Sequence, residues 1–325
     1  LFRFVGPYGA GDGGFGTTSS GNRNSRAGAA SSVRNVVGDV ASGSHTVQTD
    51  VISTFSVGDR IHVLRTPNDK WIDDLDMRQF GWTASSYAIP YERTITAIDS
   101  NRITVDIPFV QSITQEYGGG EIYRFDPSFR IRDVGVEYLF LTSAYKSSVD
   151  ENHAETAVHL ENVEDGWIRR VTTRHYARGL VTINWAFRVT IEDCAVLDPI
   201  SQITGGRRYS FEINKGSFNL FQRNYARNGR HDYVTGSRVT GPNVFVDSYA
   251  TKTHSDNGPH HRYSTGLLFD NILGGDIRTR NRGASGTGHG WTGGQVMFWN
   301  VEAQRGFEVV NDEPLGTRNW SVGTK

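Results

Sequence analysis

Four short segments in the second half of the chain gather the residues best suited to acid–base chemistry and to holding anions. They are Gly206-Arg207-Arg208-Tyr209, Arg230-His231-Asp232-Tyr233, His260-His261-Arg262-Tyr263 and Gly288-His289-Gly290-Trp291. Aligned on their last aromatic residue, Tyr209, Tyr233, Tyr263 and Trp291 recur at a near-constant spacing. Two places earlier runs a basic column of Arg207, His231, His261 and His289. Guanidinium groups pair bidentately with carboxylates, and imidazole or phenol can take and return a proton. Three residues beyond the aromatic stand Glu212, Gly236, Gly266 and Gly294, which predicts a floor almost free of side chains beside a basic wall. That combination suits an acidic polymer.

A near-constant period of this length, carrying the same chemistry at the same offset, is the mark of a solenoid. A second set, Val171, Cys194, Asn224, Ser248, Asn271 and Asn300, repeats at a similar drifting interval. Asn in such a column can bond to neighbouring turns and hold a tight corner. Short strands, frequent Gly and Asn turns and few amphipathic helical stretches predict an all-β chain: a right-handed parallel β-helix with an N-terminal cap of irregular β structure. The expected division is 1–125 for the cap and 126–325 for one continuous run of coils.

Within the first part, residues 6–14 are too rich in Gly for a helix and read as a lead-in or an irregular cap. Residues 55–64 alternate like a strand, and residues 93–107 read as a hairpin around Asp99-Ser100-Asn101. Between them a long loop carries Trp71, Met77, Trp82 and Tyr87.

Composition narrows the partners. Lys and Arg (34) balance Asp and Glu (35), so nothing points to nucleic acid. The single cysteine, Cys194, excludes an internal disulfide and reads as a small buried residue. No apolar run is long enough to span a membrane. The chain opens at Leu1 without a leader and is expected to be a processed or partial chain, secreted or at a cell surface.

The runs at 229–236, 241–247, 255–263 and 281–291 resemble those of bacterial right-handed parallel β-helix proteins of the pectate lyase-like superfamily, over roughly residues 55–302. The resemblance implies the fold and an exported protein acting on polysaccharide. The usual pectate-lyase motifs are missing, so neither catalytic residues nor calcium dependence carry across.

A lyase of uronic-acid polymers must neutralise the carboxylate, remove the C5 proton and protonate the leaving oxygen. His231 or Tyr233 is expected as base or acid, with His261 and Arg262 completing the catalytic set. Arg207, Arg208, Arg230, His260, His289, Glu212 and Trp291 are expected to bind substrate. No cofactor is expected. Asp232 and Asp256 are candidate metal ligands, for which calcium is the matching ion. Asp247 and Asp270 read as turn residues. A zinc site from His260, His261 and His289 is disfavoured, because adjacent strand residues face opposite ways. His153, His159 and His175 would extend the site; Lys215 and Lys252 read as solvated, or as a lyase base.

Other outcomes stand beside this one. Strict alternation puts Tyr209, Tyr233 and Tyr263 on the side of Phe211 and Ile213, so these rings either stack in the core or face the ligand. The basic column could simply brace turns. A glycoside hydrolase on the same scaffold would use a carboxylate pair, with Glu212 and Asp232 the pair to inspect. A non-catalytic carbohydrate-binding or fibre-forming module would leave the histidines locked to backbone.

Overall fold

The computed structural model describes residues 2–6 and 29–325. The expectation for residues 6–14 therefore falls almost wholly outside the described residues.

The first compact unit is a closed barrel. Strands Arg34–Val37, Thr46–Thr49, Arg60–Arg65, Ile89–Asp99, Arg102–Val105 and Gly120–Arg124 pair antiparallel around it. The expected hairpin is part of it: Asp99 pairs with Arg102, and Ser100 takes the left-handed conformation of the tight turn. The long loop folds onto the barrel. Its helix Asp69–Asp74 starts where the Asn68 side chain accepts from Trp71 N. Trp71, Met77, Trp82 and Tyr87 are all buried there.

The rest is a parallel β-helix. Strand Phe2–Val5 pairs in parallel with Thr156–Glu161, and the sheet continues through Gly179–Asn184, Tyr209–Ile213, His231–Ser237 and Gly258–His261. A second short sheet runs from Ile131–Arg132 to Gly216–Ser217, and a third spans the length of the coils. One residue per coil on the third sheet stacks into a continuous core column: Val136, Ile168, Ile191, Phe221, Phe245, Phe269 and Phe298. Every one is buried, as the inner face of a covered parallel sheet requires.

The predicted corner ladder exists, with a slip. Asn224 Oδ1 accepts from Cys194 N at 3.0 Å, and Ser248 Oγ accepts from Asn224 N at 2.9 Å. Beyond Ser248 the register partner is Ile272, not Asn271. Asn271 and Asn300 instead join Arg170, Asp193, Arg223 and Asp247 in the neighbouring position, which has positive φ in each coil. Asn tolerates that conformation, so the same residue type serves two adjacent columns. A second ladder lies in the next corner, where Asn219 Oδ1 accepts from Val189 N and Asn243 Oδ1 from Asn219 N, each at 3.0 Å.

The barrel, the expected N-terminal β region, contacts both early and late coils. Arg130 of the chain leaving the barrel bonds Glu92 at 2.6 and 2.9 Å, and Glu164 of an early coil meets Arg60 at 2.9 Å. At later coils Trp82 Nε1 donates to Gly288 O at 3.0 Å, and Gln111 Nε2 donates to Tyr263 Oη at 2.9 Å.

Candidate functional site

The register of the first sheet decides which residues meet. Tyr209 pairs with His231 and Phe211 with Tyr233, while Val234 pairs with Gly258 and Ser237 with His261. The alignment on aromatics is thus two residues out between the first pair of segments. Tyr233 sits in the core, stacked on Phe211 at 5.5 Å, and its hydroxyl lies 2.8 Å from the carbonyls of Asn224 and Tyr249. It cannot serve as an acid or base toward a ligand. Tyr263 is buried in the barrel core, edge-on to Trp71, and Trp291 packs against the same cluster.

The histidines nevertheless converge. Ring centroids lie 4.4 Å apart for His231 and His260, 5.3 Å for His260 and His289, and 4.9 Å for His289 and His261. Tyr209 closes the cluster edge-on to His231 at 4.8 Å, and its hydroxyl is 3.4 Å from His260 Nε2. His231 is fully buried. Its Nδ1 lies 2.7 Å from the Asp256 carbonyl and 3.2 Å from Asp256 Oδ1. A carbonyl only accepts, so Nδ1 carries a proton, and Nε2 is left without a hydrogen-bond partner among the described residues.

Three of these imidazoles are held uncharged near neutral pH. Burial, then the charges of His231 and Arg282, push His260 down to about 2. Burial, with His289 and Arg262, pushes His261 down to about 3; His289 falls to about 4 through burial, Arg282 and Arg262. Burial would raise the Asp256 carboxyl, yet the hydrogen bond from His231 and nearby positive charge hold it well below the usual range. Burial raises Asp232, whose Oδ1 accepts from Ser210 Oγ at 2.6 Å. Asp232 is fully buried, so it is no ligand on the open face.

Arginines frame the cluster. Arg282 Nη1 lies 2.9 and 3.1 Å from the two ring nitrogens of His260 and donates to His260 O at 2.8 Å. Arg262 donates to Thr287, and Arg230 has a buried Nη1 with no hydrogen-bond partner among the described residues. Arg282 was not singled out by the sequence, although the alternating Arg278, Arg280 and Arg282 were a visible signal.

Other expected members stand apart. Arg207 pairs with Glu151 at 2.7 Å, and Arg208 turns inward to the carbonyls of Ser201 and Asn228. Neither joins the histidines. Glu212 is held by Arg178, with both carboxylate oxygens 2.8 Å from Nη2, and by Thr182. A hydrolase pair of Glu212 and Asp232 therefore has one member locked in an ion pair and the other buried. The glycine floor is also filled: a Cβ would lie 2.5 Å from Asn214 Oδ1 at Gly236, 2.8 Å from Val110 at Gly266 and 2.7 Å from Thr317 at Gly294. His153 bonds Ser143 and the Ile200 carbonyl, and His175 packs on Tyr145, away from the cluster.

Lys215 is half-buried. It donates to Ser237 O, and burial, with Arg238 adding to it, pushes its amine down to about 7. Its charge acts on His261, which places it at the edge of the same cluster.

No protein-family model matches the chain, and no curated protein matches it. The superfamily resemblance thus has no sequence match behind it; what is shared with known proteins is the fold. The chain is similar to the tailspike protein gp49 of Pseudomonas phage LKA1, with a TM-score of 0.55 and 14% identity over 90% of this chain and 46% of that one. It spans about half the length of gp49. The tailspike gp61 of Pseudomonas phage phi297 aligns at a TM-score of 0.39 and 10% identity, over 90% of this chain and 62% of that one. The Gp54 tailspike of Acinetobacter baumannii bacteriophage AP22, solved with A. baumannii capsular saccharide, aligns at 0.30 and 9%, over 90% and 59%. TM-scores of 0.39 and 0.30 are too low to establish a shared fold.

Proposed function

We propose that this β-helix is an extracellular, surface-displayed glycan-engaging protein that binds and depolymerises an acidic polysaccharide by β-elimination. The observation that carries the proposal is the convergence of four histidines, three arginines and a lysine of lowered basicity on one run of coils. The tailspike-like fold is compatible with display outside a cell or on a virion.

The roles differ from those expected from sequence. Neutral imidazoles do not hold carboxylates by charge, so that work falls to Arg230, Arg262 and Arg282. A general base works best with a pKa near the operating pH. Lys215 fits; once neutral, it can donate to Ser237 O and keep its lone pair for the C5 proton. His261 and His289, half-buried beside it, donate and accept hydrogen bonds at sugar hydroxyls, and the proton that Lys215 takes from C5 passes to the leaving oxygen as its bond to C4 breaks. His231 is too deep to touch a polymer and braces His260 from behind.

The test is a panel of uronic-acid polymers followed by the ultraviolet absorbance of the unsaturated product. Absorbance that disappears in Lys215→Met and falls in Arg262→Ala supports elimination. New reducing ends without that absorbance would replace it by hydrolysis. Binding without cleavage would leave a carbohydrate-binding module, and silence on every polymer would overturn the proposal.

A further inference from the structure

Three buried imidazole nitrogens in the cluster, His231 Nε2, His261 Nδ1 and His289 Nδ1, have no hydrogen-bond partner among the described residues. Orphaned buried polar atoms are rare in folded proteins and call for a partner such as an ion. Beside these nitrogens, one donor atom each from His231, Asp256 and His260 lie within 4.8 Å of one another, and all three residues are buried.

The tautomer of His231 is the second observation. Its Nδ1–H is committed to the Asp256 carbonyl at 2.7 Å, which leaves Nε2 as the ring nitrogen free to take a ligand. A metal-ligating histidine almost always donates its other ring N–H to a carbonyl or carboxylate, which fixes the ring and raises its basicity. His231 therefore already has the outer support of a ligand. Two imidazoles and one carboxylate form a nitrogen-rich set. It suits zinc and its first-row neighbours, whereas calcium seeks oxygen.

We propose that His231, Asp256 and His260 form a site for a divalent transition metal, with His289 as the adjacent imidazole able to complete the set. The zinc trio considered from sequence was a different one, and the strand argument against it does not apply here because the three residues come from separate positions along two coils. The metal would sit in the cluster assigned to glycan, where it could share the neutralisation of a uronate. Binding of the metal itself does not rest on that activity.

One residue opposes the metal and so sharpens the test. The Arg282 guanidinium lies against both ring nitrogens of His260 and must move aside for coordination. It is the resident cation with which a metal competes.

The experiment uses untagged protein freed of metal by chelation, titrated with cobalt and with zinc by calorimetry and by the visible absorption of bound cobalt. Calcium is the control. Saturable cobalt and zinc binding with no calcium binding is expected. His231→Ala, Asp256→Asn and His260→Ala should each weaken it at least about tenfold, and Arg282→Ala should tighten it. Circular dichroism shows whether each variant folds; Arg282→Ala, a truncation outside the proposed ligand set, tests the site even where a ligand variant does not fold. Absence of binding in both the parent and Arg282→Ala would overturn the proposal, as would affinity unchanged by loss of His231 and His260. Metal binding without glycan cleavage would uphold the site while removing the elimination. Cleavage by a protein that binds no metal would do the reverse.

Discussion

Tyr209 and His231 are register partners on adjacent coils, their rings edge-on with centroids 4.8 Å apart. The phenol of one coil thus meets the imidazole of the next, where chain spacing had placed phenol over phenol. The same two-residue offset sends Tyr233 into the core beside Phe211.

Tyr233→Phe should leave glycan binding and cleavage unchanged. Its hydroxyl lies against the carbonyls of Asn224 and Tyr249, away from the histidines, so its loss should cost about 1–3 kcal/mol of stability. Denaturant unfolding beside a cleavage assay checks both halves; a large loss of activity in a folded variant would restore the tyrosine to the site.

Lys215 should make activity rise with pH through about 7, because the base works only when neutral. Stability carries the same signature. The folded pKa lies below the unfolded value of about 10.4, so between the two the unfolded chain binds more protons and stability increases with pH. Lys215→Met should remove that slope. Urea midpoints measured at several pH values across the window, in both proteins, decide it.

Glu92 ties the barrel to the coils through Arg130 and Arg60, and its carboxyl is held well below the usual range: burial opposes the charge but the arginines prevail. Its stabilisation is present above the unfolded pKa of about 4.3 and is lost as pH falls through the folded value. Glu92→Gln should cost about 3–5 kcal/mol at neutral pH, since the buried Arg130 loses its two short carboxylate bonds and keeps only Glu164 at 3.7 Å. The gap from the parent should narrow in strong acid, as thermal melts would show.

Asn224→Ala should break the corner ladder. It removes the acceptor for Cys194 N and the donor to Ile191 O, both buried backbone groups. Each orphaned group costs about 1–3 kcal/mol. Hydrogen exchange should show faster opening at Cys194 than at Val189, which the separate Asn219 ladder protects.

The amino-acid sequence alone determined the solenoid, the alternation of its core and the gathering of histidines on one run of coils. Each coil touches only its neighbours, so a near-constant period along the chain maps directly onto stacking. It also identified Cys194, Asn224 and Ser248 as one column. Tertiary structure decided the rest, because spacing along the chain counts residues whereas register counts rungs, and turns of unequal length take up the difference. Side chains alternate with a period of two, so register also sets what each residue faces. That is why Asn271 falls in the left-handed corner beside the ladder and why Tyr233 lies in the core. The partners of Arg207, Arg208 and Glu212, the depth of Lys215 and the place of Arg282 against His260 depend on residues distant in sequence. Burial and neighbouring charge, which only the folded chain supplies, made the expected cationic wall a set of neutral imidazoles.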